Sequence, residues 1–382
     1  MRIAAFNVEN LFARPKAFDV ATWAEGDPIL SAFAEANRLI AHQTYTAADK
    51  ARLIELLTTL EIYVMRDGVP RRNHTRDPRW AWLRANRGSF DVDRAATGME
   101  IVARGRDAWI GWLELAVEPT DEISTRMTAK VIGDLQADIL CVVEAEDRPA
   151  LDRFNHDLLD GQYGHAMLID GNDKRGIDVG ILTTADIDIT DMRSNVDVPD
   201  PVTDDHLFSR DCPEYRCVLP NGESVWVLVN HFKSQSGGGV AKRTRQADGV
   251  REIVDRLIAD GEENIVVLGD LNEGPKADRE HPVSMEALFA PDGPLVSAYE
   301  LDTFTQGERP GTFQTCSRRN RLDYILVSRP LANRVRSGGI WRWGLWGNPT
   351  TKKRPDWPIY DEITESRHAA SDHAAVYLDL DI

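Results

Sequence analysis

Short apolar runs recur along the chain, and most of them end in a polar cluster. Ile139-Leu140-Cys141-Val142-Val143 is apolar without interruption, which predicts a strand covered on both faces. Glu144 and Glu146 follow it directly. The run 264–268 has the same character and closes on Gly269-Asp270-Leu271-Asn272, with Asp270 and Asn272 two apart on one side of an extended chain. The run 224–230 closes on His231-Phe232-Lys233-Ser234. Two further runs carry their polar group at the start: Arg321-Leu322-Asp323 before 324–327, and Ser371-Asp372-His373 before 374–378. At the first strand, Ile3 and Ala5 share a face with Asn7 by period two, and Glu9 lies just beyond.

The remaining elements follow from the same reading. Strands are expected near 163–169 and 177–183, the second introduced by Lys174-Arg175-Gly176. Segments 215–219 and 224–230 form a hairpin about Pro220-Asn221-Gly222. Helices are expected over 121–136, opened by Thr120-Asp121-Glu122, and over 240–259, after Gly237-Gly238-Gly239. The acidic stretch 186–212 reads as loop, and 302–316 as loop or edge structure. Between 327 and Ser371 a loop is expected that holds Trp341, Trp343, Trp346 and Trp357 with Lys352-Lys353-Arg354. That loop reads as a substrate lip or as tryptophan packing.

Residues 13–120 differ in kind. Leu53, Leu56, Leu57 and Leu60 recur at helical spacing, and Thr46 before Ala47-Ala48-Asp49 is suited to cap a helix. Segment 71–88 is basic and carries Trp80 and Trp82. Cations between aromatics suit a nucleic-acid strand, but core packing of the two tryptophans is the reading favoured here.

Composition adds bounds. The chain has 382 residues, 42% apolar and 28% charged, the profile of a soluble globular protein. A net charge of −17 excludes a uniformly basic coat but leaves room for a local basic cleft. The four cysteines show no metal or disulfide spacing. Neither a signal peptide nor a run long enough to span a membrane is read, so a cytoplasmic protein is expected.

An acid at the carboxyl end of a buried strand is where α/β proteins place ligands. Burying Glu144 without a partner would cost several kcal/mol, so a cation or a salt bridge is expected beside it. Asp372 can hold a metal and His373 can move a proton. His231 and Lys233, next to flexible glycines, can approach a phosphate closely.

In order, the segments FNVEN, ILCVVEAE, NHFKS, GDLN, RLDYIL and SDH resemble the endonuclease/exonuclease/phosphatase superfamily, the DNase-I-like phosphoesterases. The resemblance covers 1–12 and most of 121–382, and it leaves 13–120 as an insertion far longer than the family's usual connection. It implies one α/β domain over 1–382, a four-layer α/β-β/α sandwich of two mixed sheets. The insertion after the first strand is expected to be largely helical. By resemblance, Glu144 is the principal metal ligand, with Val143 where the family has Gln; Asn7, Glu9 and Asp372 complete the metal group. His231 contacts a phosphate oxygen, Asp270 and Asn272 orient the attacking water, and Asp323 pairs with His373. Either Asp270 or His373 activates the water. Lys233, Arg175, Trp346, Lys352 and Arg354 are the candidate substrate contacts. The implied cofactor is Mg²⁺ or Mn²⁺ and the expected substrate nucleic acid. The alternative is a phosphatase or phosphodiesterase acting on inositol phosphates, lipid head groups or small nucleotides.

Overall fold

The apolar runs are buried on both faces because they form two sheets packed on each other and covered outside by helices. The computed structural model describes residues 1–9, 13–17, 23–119, 122–173, 175–235, 239–348 and 353–382. Contacts divide the chain into two compact units, Met1–Phe12 with Thr120–Ile382, and Ala13–Pro119.

In the first unit the chain runs β1 (Arg2–Asn7), α1 (Glu122–Leu135), β2 (Ile139–Ala145), α2 (Arg148–Leu158), β3 (His165–Leu168) and β4 (Asp178–Thr183). It continues through β5 (Asp188–Arg193), β6 (Glu214–Val218), β7 (Ser224–His231), α3 (Val240–Ala259) and β8 (Ile265–Asp270). It closes with β9 (Leu295–Ser297), β10 (Phe304–Thr305), β11 (Asp323–Ser328), β12 (Val335–Trp341) and β13 (Ala375–Leu380). One sheet has the order β3-β4-β2-β1-β13-β12-β10, and the other β5-β6-β7-β8-β11-β9. Both are mixed: β1 and β2 run parallel, as do β7 and β8, while β13 and β11 run against them.

Alternation along β1 and β2 sorts their side chains. Ile3, Ala5, Ile139, Cys141 and Val143 join the core between the sheets. Ala4, Phe6, Leu140 and Val142 point the other way, against Val131, Ile132 and Leu135 of α1 and Leu151 and Phe154 of α2. Helix α3 covers the second sheet with Val250, Val254 and Leu257. Each such Val, Leu or Ile contributes about 1.5–3 kcal/mol on burial, so the layers are held chiefly by apolar area. The result is the four-layer sandwich. All four cysteines are free and buried.

Three expectations change. Residues 188–193, read as loop, form an edge strand whose partner is β6. Its acidic sequence hides a strand that needs one apolar side only. Residues 335–341, read as loop, form β12. The pair Gly338-Gly339 weakens any strand signal, but no larger residue fits, because a Cβ on Gly338 would lie 2.5 Å from Leu378 Cδ2. The insertion is not largely helical. Among its described residues are the helices Trp23–Ile40 and Ala47–Thr59 and eight short strands in four antiparallel pairs. The capping box at Thr46 is present, with Asp49 returning the bond. The hairpins were hidden because their strands are four to seven residues long and rich in Arg and Asp. The turn Asp67-Gly68, left-handed at both residues, was the legible sign of one. Expectations on 10–12, Thr120, Asp121, Lys174, Gly237, Gly238 and Lys352 lie outside the described residues.

Candidate active site

The mixed direction of the strands gathers the polar clusters at one end of the sandwich. Parallel strands bring their carboxyl ends there: Asn7 on β1, Glu144 on β2, His231 on β7 and Asp270 on β8. The antiparallel strands bring their starts: Asp323 on β11 and Asp372-His373 before β13. Register then aligns them, since His231 pairs with Asp270 and Asp270 with Asp323 across the second sheet.

Backbone strain marks the same end. Glu144 sits in a β-bulge with φ 66°, where the register of β2 against β4 slips between Val143 and Ala145. Glu9 and Asn272 are also left-handed, with φ 48° and 57°. Such conformations cost about 1–3 kcal/mol for a non-glycine residue and persist where surrounding structure dictates them.

The buried centre is Asp270. Its Oδ1 accepts the Asn272 N–H at 2.8 Å, and its Oδ2 accepts Asn7 Nδ2 and Asn272 Nδ2, each at 3.3 Å. His373 Nδ1 lies 2.8 Å from Asp323 Oδ2, and its Nε2 is 3.9 Å from Asp270 Oδ2 and 3.8 Å from Asp372 Oδ1. Burial works against the imidazolium, but the charges of Asp323 and Asp270, the Asp323 hydrogen bond and Asp372 outweigh it and hold His373 well above its ordinary range. Burial pushes Asp270 up to about 7, against the pull of His373 and with the repulsion of Asp323. His231 is the opposite case. Burial and the charges of Arg210, Arg175 and His373 drive it well below its ordinary value, so it is neutral at pH 7. Its Nε2 lies 3.6 Å from both Glu144 and Asp270, and its buried Nδ1 has no hydrogen-bond partner among the described residues.

Glu9 joins the group through its Oε2, which accepts the Asp372 N–H at 3.0 Å. The Asp372 carboxylate, 30% exposed, is raised well above its ordinary value by desolvation and by Glu9, Glu144 and Asp270 around it. Carboxylates crowded to that degree, with oxygen as the offered atom, fit a hard divalent cation. Asp270, Asp323 and His373 also offer ligand atoms within 4.8 Å of one another. Within that trio His373 Nδ1 is engaged by Asp323 at 2.8 Å, while Asp270 Oδ2 stands 3.9 Å from His373 Nε2.

Opposite the acids stands a cationic cluster. Asp173 takes Arg175 Nε at 2.8 Å and lies 3.0 Å from Arg210 Nε. Both arginine charges reach Glu144. Half-buried Lys233 is lowered by burial and by the same two arginines. Arg210 and Asp173 were missed in the sequence because Arg210 falls in a stretch read as loop and no local pattern marks a charge as buried. Thr312 and Phe313 were missed for the same reason. Thr312 Oγ1 accepts the Asp323 N–H at 3.1 Å, and Phe313 lies against His373 with ring centroids 4.8 Å apart. Ser371 Oγ donates to Asn7 O at 2.7 Å and accepts the His373 N–H at 2.9 Å, tying β1 to the start of β13.

The structure thus brings Asn7, Glu9, Glu144, His231, Asp270, Asn272, Asp323, Asp372 and His373 together, with Arg175 and Lys233 nearby. Trp346 is a correction: it is 3% exposed and packs with Ile359, Tyr360 and Ile363, so its bulk went to the core. Arg354 is exposed on the adjoining loop and is not among the side chains gathered at the strand ends. Lys352 lies outside the described residues.

A sequence model of the Endonuclease/Exonuclease/phosphatase family matches residues 117–339, more than half of the chain, and the chain belongs to that family of hydrolytic phosphoesterases. Solved structures are similar to the chain over about two thirds of its length. An endonuclease/exonuclease/phosphatase from Bacteroides vulgatus is 16% identical, with TM-score 0.50 over 68% of this chain and 91% of that one. The mannosyl-6-phosphatase of Bacteroides thetaiotaomicron is 20% identical, with TM-score 0.49 over 68% and 92% of the two chains. The human Nocturnin catalytic domain with bound sulfate is 17% identical, with TM-score 0.49 over 68% and 86%. At these identities the likeness is one of fold. No curated protein matches the chain in sequence. Among the described residues no helix is long and apolar enough to cross a membrane.

Proposed function

We propose that the chain is a divalent-metal-dependent phosphodiester hydrolase, with Mg²⁺ or Mn²⁺ as the ion and polynucleotide as the substrate class. The observation that carries this reading is the register row His231–Asp270–Asp323, with His373 on Asp323 and the Glu144–Asp372 carboxylates beside it.

Glu144 and Asp372, with Asn7 and Glu9, would hold the ion, which when bound neutralises phosphate oxygens and eases departure of the leaving oxygen. The protein's own groups supply the rest. Asp270, fixed by Asn7 and Asn272, takes the proton of the attacking water. His373, kept as imidazolium on Asp323, balances charge that gathers on the phosphoryl group. Neutral His231 presents an N–H to a non-bridging oxygen, and Arg175 and Lys233 add positive charge nearby. Arg210, buried on Asp173, holds that cluster in place.

A second reading, hydrolysis of small phosphate esters, draws on the net charge of −17, which disfavours a polyanion away from local basic groups. One panel separates the two: plasmid DNA, single-stranded DNA, RNA, inositol phosphates and bis-p-nitrophenyl phosphate, each with Mg²⁺, Mn²⁺ or EDTA. Metal-dependent cutting of polynucleotide, absent in Glu144→Gln, is the expected result. Turnover of small esters alone would overturn the substrate class, and unchanged turnover in Glu144→Gln would overturn the metal group.

A further inference from the structure

The second unit carries a surface that the catalytic reading does not use. Strands Ala81–Arg87 and Ile110–Leu115 pair antiparallel, with Trp82 opposite Glu114 and Arg84 opposite Trp112. Alternation buries one face: Ala81, Leu113 and Leu115 join the insertion's core, and Leu83 packs on it. The other face bears Trp82, Arg84, Trp112 and Glu114. Trp112 is 48% exposed and Trp82 half-buried. Trp80 and Trp109 of the same unit went to its core, so the insertion had room to bury tryptophan and left these two outside.

The face is ordered. Arg84 Nε donates to Glu114 Oε2 at 2.9 Å, and the guanidinium lies 4.6 Å from the centroid of the Trp82 ring. Trp82 and Trp112 are diagonal neighbours across the pair, a spacing of about 7–8 Å between Cα atoms. The Arg84–Glu114 pair lies on the crossing diagonal between them, so each indole offers a base its outward surface. Beside Trp82 opens a cleft of about 90 Å³ lined by Glu61, Arg72, Asn73 and Thr75. Positive charge is concentrated locally: residues 66–106 hold ten arginines against five acids, while the whole chain is −17, and Arg71, Arg72, Arg79, Arg84 and Arg94 each pair with an acid.

We propose that this face is a stacking platform for the bases of single-stranded nucleic acid, with Trp82 and Trp112 as base contacts and the surrounding arginines facing the backbone. The proposal deepens the polynucleotide reading above and rests on it for its biological sense. It says that the insertion contributes affinity for the strand through sequence-tolerant stacking.

The test uses full-length Glu144→Gln protein and a fluorescein-labelled oligothymidylate of roughly 12 nucleotides, within the range one aromatic-lined site covers. Anisotropy gives Kd for this parent, for Trp82→Ala/Trp112→Ala and for Trp82→Phe/Trp112→Phe. The expected result is a loss of roughly tenfold or more in the alanine pair, with the phenylalanine pair retaining most of the affinity. Should the alanine pair fail to fold, retained binding by the phenylalanine pair supports the platform. Absent binding by the parent, equal binding by the alanine pair, or equal loss in both pairs overturns it. A parent dimer that the alanine pair dissolves, with oligonucleotide affinity unchanged, also overturns it in favour of self-association. Plasmid cleavage by the unmodified protein separates the two readings. Cleavage with no affinity loss in the alanine pair removes the platform alone, and binding at the platform without cleavage removes the nuclease alone.

Discussion

His373 faces three carboxylates, and one of them, Asp323, holds it at 2.8 Å. Asp323 is itself fixed by Thr312 and belongs to a strand buried along its length. A charge so placed is costly without its partner, so the Asp323 pairing is what keeps His373 an imidazolium, the form the proposed charge-balancing role needs. His373→Ala should lower kcat by about 10²–10³-fold with a modest change in KM, measured on bis-p-nitrophenyl phosphate. A large rise in KM at unchanged kcat would make His373 a binding group. Asp372 and His373 adjoin in sequence, so this pair was legible. The partnership of His373 with Asp323 spans 50 positions and was supplied by the family likeness, not by local pattern.

At the scale of elements, β7 and β8 set the spacing of the site. Gly269 has φ 125°, and a Cβ there would lie 2.1 Å from Asn230 O on the neighbouring strand. Gly269→Ala should therefore force the strands apart next to His231 and Asp270, costing at least ~2 kcal/mol and most of the activity. Urea melts and turnover check this together, and a fully stable variant would remove the close-packing argument. Helix α3 offers a contrasting lever, an ion-paired carboxylate. Its Lys242 and Arg245 each reach the buried Asp200 at 2.8 Å. Burial would raise that carboxyl, but the two cations outweigh it and hold it below its usual range. A depressed acid contributes stability that is complete above the unfolded pKa and lost as pH falls through it toward the folded value. Asp200→Asn should cost about 3 kcal/mol at pH 7, and the gap to the parent should narrow below pH ~4. A gap that does not change with pH in urea melts would deny the ion pairs their part. Most of these elements could be read from apolar period. The edge strands could not, because β5 and β12 owe their conformation to ladder partners and not to their own side chains.

For the whole molecule, each unit has its own apolar core. Replacing 13–119 by a short flexible linker should leave a folded sandwich that still hydrolyses bis-p-nitrophenyl phosphate within about tenfold of the parent rate. Loss of folding, read by circular dichroism, would show the units to be interdependent. Sequence alone determined the buried strands and the polar residues at their ends, because burial on two faces and charge at a strand end leave local patterns. Tertiary structure alone decided that Trp346 packs, that Arg210 is a buried cation on Asp173, and that the insertion's described residues hold four strand pairs beside two helices. Those outcomes depend on which distant surfaces meet. Burial is a property of the partner as much as of the residue, and no window of the chain contains the partner.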